Sequence, residues 1–161
     1  MNASLWDLPL GSVADDVAAR QPAPAGVAAA SIAATLGVSL LIKTLEIRGQ
    51  RVDLSSAARE IGAELRAAAD ADCEAIRGSL QSPEAMSVPL RAARAAIRAL
   101  DLCNEAAPSV SGLLAADLRA GRELLAGAAR AILTCIDANL EKRPSAETGR
   151  EVSALRARIT V

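Results

Sequence analysis

Residues 21–49 read QPAPAGVAAASIAATLGVSLLIKTLEIRG, and this stretch predicts a long helix built almost wholly from small and aliphatic side chains. Ala29, Ala33 and Gly37 recur every four residues, so they form a smooth stripe along one side of a helix. The backbone of another helix can approach such a stripe closely. We therefore predict that this helix is central, that it is buried in a bundle or at a subunit interface, and that the other helices wrap around it.

The composition favours an all-α protein. The hydrophobic fraction of the 161 residues is 52%, whereas aromatic residues contribute only 1%, so the core depends on close packing of small side chains. Proline and glycine cluster between the apolar segments, and no stretch alternates convincingly with the period of two that a strand requires. We predict one domain over residues 1–161, an oligomeric bundle of about five to six helices. Residues 1–10 form an N-terminal arm whose Trp6 and Leu8 dock on the bundle.

Helical periodicity and capping residues predict where each helix begins and ends. The central helix has Pro24 in its first turn and Gly49 just after its last residue, Arg48. The other predicted helices are Val13–Arg20, Leu54–Leu80, a helix from Ser82-Pro83 to Ala106, Leu113–Leu140 and Glu151–Thr160. Their predicted N-terminal caps are Ser12, Asp53 and Thr148, the last in a capping box with Glu151.

Charge and hydropathy exclude several classes of partner. The formal net charge is −1, and Arg and Glu are spread along the helices, so binding to nucleic acid has little electrostatic support. The N-terminus lacks the positively charged start and short apolar core of a signal peptide, which predicts a cytoplasmic protein. Residues 25–42 reach the lower length limit of a membrane span, but their Ala, Ser, Thr and Gly content argues against one. We therefore expect no nucleic-acid partner and no membrane.

The cysteines and the lack of histidine limit the available chemistry. Cys73, Cys103 and Cys135 lie far apart, one on each of three predicted helices, and the chain contains no CxxC motif. This pattern predicts buried free thiols and no metal site. Because there is no histidine, Ser-His and Cys-His nucleophile pairs are excluded. Acid–base chemistry falls to Asp, Glu, Lys or water.

Four polar residues are candidates for a functional site, and each also has an ordinary structural explanation. Asp72 interrupts the apolar stripe of its helix, which is costly for a carboxylate without a partner. Its side chain therefore takes part in chemistry, lies at the rim of the buried helix face, or hydrogen-bonds to the end of a neighbouring helix. Asp117 lies in the first turns of its helix, where the helix dipole alone favours a carboxylate. Lys43 falls on an apolar stripe and is either a partly buried cation or a side chain that extends to the helix edge. Asn139 lies near the end of its helix.

The order of short motifs carries a family resemblance. In chain order these motifs are Pro22-Ala23-Pro24-Ala25-Gly26-Val27-Ala28, Asp72-Cys73-Glu74-Ala75-Ile76, Val88-Pro89-Leu90, Ala116-Asp117 and Asn139-Leu140. The chain thereby resembles the cyclodeaminase/cyclohydrolase family of folate enzymes. This family includes the cyclodeaminase half of formiminotransferase-cyclodeaminase and bacterial methenyltetrahydrofolate cyclohydrolase.

The resemblance implies an all-helical homodimer whose pocket lies between helices and near the dimer contact. It implies a tetrahydrofolate derivative as substrate or ligand, with no metal: water adds to methenyltetrahydrofolate, or ammonia is eliminated from the formimino form. In this reading Asp72 or Asp117 is catalytic, orienting water or holding the pterin. Lys43, Asn139 and the retained Gly26 bind substrate, and Lys43 contacts the glutamate tail or a catalytic carboxylate.

The departures from the family pattern leave a second reading open. Ala25 and Val27 replace two glycines of the family motif, and their Cβ atoms prevent a close backbone approach to a ligand. The alternative is therefore a catalytically degenerate member of the family. Such a member serves as a folate-binding, protein-interaction or assembly module.

Overall fold

The computed structural model describes residues 4–49, 51–78 and 84–159, and every regular element within these ranges is helical. The six α-helices are α1 (Leu10–Ala18), α2 (Gly26–Arg48), α3 (Val52–Gly78), α4 (Glu84–Ala106), α5 (Leu113–Lys142) and α6 (Ala146–Ala157). Short 3-10 turns at Leu5–Asp7 and Ala107–Ser109 precede α1 and follow α4. The prediction of an all-α bundle with five to six helices is confirmed.

Four of these helices form a closed ring. α2 packs against α3 and α5, and α4 packs against the other sides of α3 and α5, while α6 covers part of α5 and α4. The predicted central helix is therefore α2, which contacts α3 and α5 on its two flanks and α4 across the ring. Its inner side is buried, yet Leu36 on its outer side is 49% exposed. Both sides of α2 are apolar, so the sequence pattern did not reveal which one faces the core.

The smooth stripe of α2 allows one unusually close helix contact. α2 and α5 run antiparallel and come closest at Gly37 and Gly121. A Cβ built on either glycine would lie 2.8 Å from the carbonyl oxygen of the other. The close approach predicted for Gly37 is confirmed, whereas its partner Gly121 was not singled out by the sequence. Two helix backbones can approach this closely only where neither residue carries a side chain.

Two helix-end predictions around α2 have different outcomes. α2 ends at Arg48, and Gly49 follows with a left-handed φ of 62°, as predicted. At the other end, Ala25 is the N-cap and Gly26 the first helical residue, so Pro24 lies before the helix instead of in its first turn. The predicted helix ends at Leu80, Ser82-Pro83 and Thr160 lie outside the described residues.

All three predicted caps are wrong. Asp53 lies inside α3, which begins at Val52, and the other two helices begin about one turn earlier than predicted. α1 begins at Leu10, directly after Pro9, so Ser12 lies within the helix. At α6 the hydroxyl of Ser145 accepts a hydrogen bond from the Thr148 backbone N–H, with N···O 3.2 Å. Ser145 is therefore the N-terminal cap of α6, the role that was predicted for Thr148.

The N-terminal arm docks on α3, as predicted. Trp6 Nε1 donates a hydrogen bond to the carbonyl oxygen of Arg66, at 3.1 Å, and Leu5 is buried. Ser4 Oγ donates to Asp70, at 2.7 Å. These contacts lie on the stretch of α3 that also carries Asp72.

α2 is also the helix among the described residues whose length and composition would allow it to cross a membrane. Half of its apolar window is buried inside the bundle, and the core helix of a folded domain meets the same criteria.

Candidate functional site

The carboxyl group of Asp72 lies at the N-terminus of α2. Asp72 belongs to α3 and is only 5% exposed. The first turn of α2 lacks a side-chain cap because its N-cap residue is Ala25. Asp72 Oδ2 instead accepts a hydrogen bond from the backbone N–H of Ala28, with N···O 3.2 Å. The structure thus shows the bond to a neighbouring helix end that was one of the alternatives for Asp72.

Burial changes the acid–base behaviour of Asp72. Removal from water raises the pKa of its carboxyl group to about 6, and the hydrogen bond from Ala28 partly opposes this rise. A carboxyl group with a pKa near neutrality can both accept and return a proton close to pH 7. Such a shift in a buried group is common at functional sites, although a structural acid can show it too.

Small and polar groups surround this end of α2. A Cβ on Gly26 would lie 2.9 Å from Cys135 Sγ, so the glycine leaves the space that the thiol occupies. Burial and the charge of Asp72 raise the pKa of the Cys135 thiol. Ser31, one turn after Ala28 on the same side of α2, has a buried hydroxyl without a hydrogen-bond partner among the described residues. The sequence analysis did not single out Ser31 as a candidate polar group.

Lys43 and Asp117 form an ion pair at the other end of α2. Lys43 Nζ lies 2.6 Å from Asp117 Oδ2, and the two side chains are 53% and 36% exposed. The sequence offered contact with a candidate catalytic carboxylate as one explanation of Lys43, and the structure brings this pair together. Because the pair is largely in water, it resembles an ordinary surface salt bridge more than a buried site.

The two candidate aspartates do not meet within one chain. Asp72 bonds at Ala28, whereas Asp117 bonds at Lys43, fifteen residues further along α2. At 1.5 Å per residue this separation is about 22 Å. Asn139 occupies a third place, where its Nδ2 donates to the carbonyl oxygen of Ala85 at the start of α4, at 3.2 Å.

We expect the Lys43–Asp117 pair to contribute little stability. Asp117→Asn should lower the free energy of unfolding by less than about 1 kcal/mol, because exposed ion pairs gain little over their separate hydration. A double-mutant cycle with Lys43→Gln, measured by urea unfolding, isolates the interaction between the two side chains. A coupling energy well above 1 kcal/mol would contradict this expectation.

No group of three or more His, Cys, Asp or Glu side chains within residues 4–49, 51–78 and 84–159 is arranged to hold a metal ion. The three cysteines are free thiols on α3, α4 and α5, with Cys73 and Cys103 buried and Cys135 partly buried.

Comparison with known families gives one match. A family model described as formiminotransferase-cyclodeaminase matches residues 56–155, which is more than half of the chain. No curated protein matches the chain. The matched range contains Asp72, Asp117 and Asn139, whereas Gly26 and Lys43 lie on α2, before the match begins.

Proposed function

The chain belongs to the formiminotransferase-cyclodeaminase family, and from this premise we propose that it acts on a C1-bearing tetrahydrofolate as a cyclohydrolase or cyclodeaminase. The family resemblance drawn from the short motifs is confirmed by the match. The observation that supports the activity is the buried Asp72 carboxyl at the start of α2, with its pKa raised to about 6. We further propose a cytoplasmic homodimer that needs no metal, nucleic acid or membrane.

Asp72 has the properties that such a reaction requires. Hydrolysis of a cationic methenyl carbon needs a group that takes a proton from the attacking water as the new C–O bond forms. Asp72 takes that proton. Before the attack, the negative charge of Asp72 stabilises the positively charged methenyl substrate. In the elimination route the second folate nitrogen bonds to the formimino carbon and closes the ring as the C–N bond to the departing nitrogen breaks. That departing nitrogen leaves as ammonia with the proton of the ring nitrogen and one proton from the protonated Asp72 carboxyl. The hydrogen bond from Ala28 fixes the orientation of the carboxyl group for either step.

Ala25 and Val27 favour the second candidate, a family member that binds a folate or a partner without turnover. Val27 is buried, so its side chain occupies space next to the first turn of α2 where a glycine would leave room. Asp72 already has a structural task as the cap of α2, and Asp117 lies about 22 Å away along the helix. These features are compatible with a retained fold and lost chemistry.

Calorimetric titration with 5-formyltetrahydrofolate, paired with an absorbance assay of methenyltetrahydrofolate hydrolysis above its spontaneous rate, tests the proposal. We expect binding and turnover in the unmodified protein, and turnover that falls in Asp72→Asn while binding persists. Asp101→Asn is the matched control, because Asp101 is an exposed acid paired with Arg158 far from the start of α2. Binding without turnover would support the folate-binding form of the second candidate. Absence of binding would contradict the proposed activity and leave only a family member that binds a partner.

A further inference from the structure

The N-terminal arm packs over the end of α2 to which Asp72 is bonded. Leu5 of the arm is buried in a small apolar cluster that includes Ala28 and Cys73. Ala28 is the residue whose backbone N–H donates to Asp72, and Cys73 follows Asp72 in α3. The arm therefore lies over the same part of the protein as the candidate site.

This apolar cluster is separate from the main core of the bundle. Its buried members come from the arm, the segment before α2, the first turn of α2 and the middle of α3: Leu5, Ala23, Ala28, Ala69 and Cys73. The core inside the ring consists of other residues of α2 and α3 together with residues of α4, α5 and α6. Because the two clusters share no member, the small one can lose its cover while the ring stays packed.

Few contacts hold the arm in place. The Asp70 carboxylate accepts hydrogen bonds from Ser4 Oγ, at 2.7 Å, and from the backbone N–H of Leu5, at 2.9 Å. At an exposed position Trp6 Nε1 donates to the carbonyl oxygen of Arg66, whose guanidinium lies 5.5 Å from the centre of the Trp6 ring. Leu5 supplies the one buried side chain in the described part of the arm. Terminal segments with so few buried contacts open more easily than the helices beneath them.

A cavity of about 140 Å³ separates part of the arm from α3. The residues that line it include Leu5 and Leu8 of the arm and Asp70 and Cys73 of α3. The arm is thus not closely packed along its whole length, and its separation from α3 can begin at a space that already exists.

We propose that the N-terminal arm is a lid that opens locally and uncovers the Asp72 end of α2 while the four-helix ring stays folded. With the arm in place Asp72 is 5% exposed, so a ligand as large as a folate cannot reach its carboxyl group. The opening itself does not depend on the proposed function. Only the use of the opening, as the route by which a C1-bearing tetrahydrofolate reaches Asp72, rests on that function.

Labelling of the native protein with N-ethylmaleimide tests the lid, because opening exposes the thiol of Cys73. Cys73 and Cys103 are 2% and 0% exposed, so both thiols are protected in the closed protein. Cys103 belongs to the core inside the ring and is exposed only when the ring opens. We expect Cys73 to be labelled at least about 100-fold faster than Cys103, since local opening is more frequent than unfolding of the whole bundle. Tryptic digestion and mass spectrometry measure the two rates separately.

Leu5→Ala should increase the opening of the lid. This change removes the buried side chain of the arm and leaves the charges around Cys73 as they are. We expect labelling of Cys73 to become about 10-fold faster or more, while labelling of Cys103 is unchanged. Emission from Trp6, the single tryptophan, should shift to longer wavelength as its ring enters water. Leu10→Ala is the matched control, because Leu10 is 69% exposed and outside the cluster, and it should alter neither signal.

Two results would overturn the lid. Equal labelling rates of Cys73 and Cys103 in the unmodified protein would mean that the arm leaves only when the whole bundle unfolds, and this comparison needs no variant. Unchanged Cys73 labelling and unchanged Trp6 emission in a folded Leu5→Ala protein would mean that the arm does not control access to this end of α2.

Stopped-flow binding of 5-formyltetrahydrofolate tests the use of the lid. If the ligand enters through the opening, Leu5→Ala should raise its association rate by the same factor as the labelling of Cys73, and Leu10→Ala should not. Binding at an unchanged rate would overturn the arm as the route of entry. A protein that binds no folate would contradict the proposed activity, whereas the labelling rates would still decide whether the lid opens.

Discussion

Gly121→Ala is expected to lower the free energy of unfolding by about 1–3 kcal/mol, because the added methyl group has no room between α2 and α5. The new Cβ would lie 2.8 Å from the Gly37 carbonyl oxygen and 3.2 Å from Leu40 Cβ. The first of these atoms belongs to the backbone of a packed helix, so it cannot move aside as the end of a flexible side chain can. α2 and α5 must therefore separate, and the core contacts along both helices weaken. Equilibrium urea unfolding followed by circular dichroism measures the change.

Gly149→Ala is the matched control. Gly149 is also a helical glycine, but a Cβ there meets nothing within 4 Å. Because alanine has the better helix propensity, this change should raise stability by up to about 1 kcal/mol. Gly37→Ala should behave like Gly121→Ala, since the two contacts are reciprocal. If Gly121→Ala were as stable as Gly149→Ala, the close approach of the two backbones would be wrong.

The sequence predicted those parts of the fold that depend on local pattern. The apolar spacing of α3 and α4 predicted the start of α3 within two residues and the end of α4 at Ala106, and the turn residue Gly49 predicted the end of α2 at Arg48. Ser12 and Thr148 were wrong as caps because α1 begins directly after Pro9, without a side-chain cap, and because Ser145 caps α6 one turn earlier. Local signals of similar strength compete, and the sequence does not rank them.

The arrangement of α2 could not be predicted, because it depends on which helices lie beside it. Its inner and outer sides are both apolar, so periodicity does not distinguish the residues that face the core from exposed Leu36. The partner of Gly37 is Gly121, 84 positions away, and nothing in the sequence near either glycine identifies the other.

The sequence predicted which residues belong to the candidate site, but not where they lie relative to one another. The resemblance selected Asp72, Asp117 and Lys43, and the structure pairs the last two while holding Asp72 at the far end of α2. The sequence cannot reveal the hydrogen bond that Asp72 accepts from a backbone N–H 44 residues away, since every residue except proline carries that group.

Asp72→Asn is expected to change the pH dependence of stability. The pKa of this carboxyl rises from an ordinary 3.8 to about 6 in the folded protein, so the folded state holds the proton more tightly than the unfolded state. The stability that comes from protonation is fully present below pH 4 and is lost as the pH rises through 6. At about 1.4 kcal/mol per pKa unit, the unmodified protein should gain roughly 2–3 kcal/mol relative to Asp72→Asn between pH 7 and pH 4. Urea unfolding of both proteins at a series of pH values measures this difference, and parallel curves would contradict the buried position of the carboxyl.

Comparison of Asp72→Ala with Asp72→Asn separates the stability that comes from the capping hydrogen bond from the effect of the negative charge. Asparagine keeps a side-chain oxygen that can accept the Ala28 N–H, whereas alanine leaves that donor without a partner. At pH 7 we expect Asp72→Ala to be about 1–2 kcal/mol less stable than Asp72→Asn, which is the usual value of an N-terminal cap. Equal stabilities of the two variants would mean that the hydrogen bond to Ala28 contributes nothing to α2.

The combination of stability and turnover in Asp72→Asn decides between the two proposed functions. At pH 7 the carboxyl is mostly ionised against its burial, so asparagine should be at least as stable there as aspartate. If Asp72 takes the proton of the attacking water, Asp72→Asn should lower hydrolysis of methenyltetrahydrofolate by about 10²–10⁴-fold while the protein stays folded. A variant that is more stable and equally active would instead show that Asp72 serves the helix alone, and the catalytic assignment would have to be abandoned.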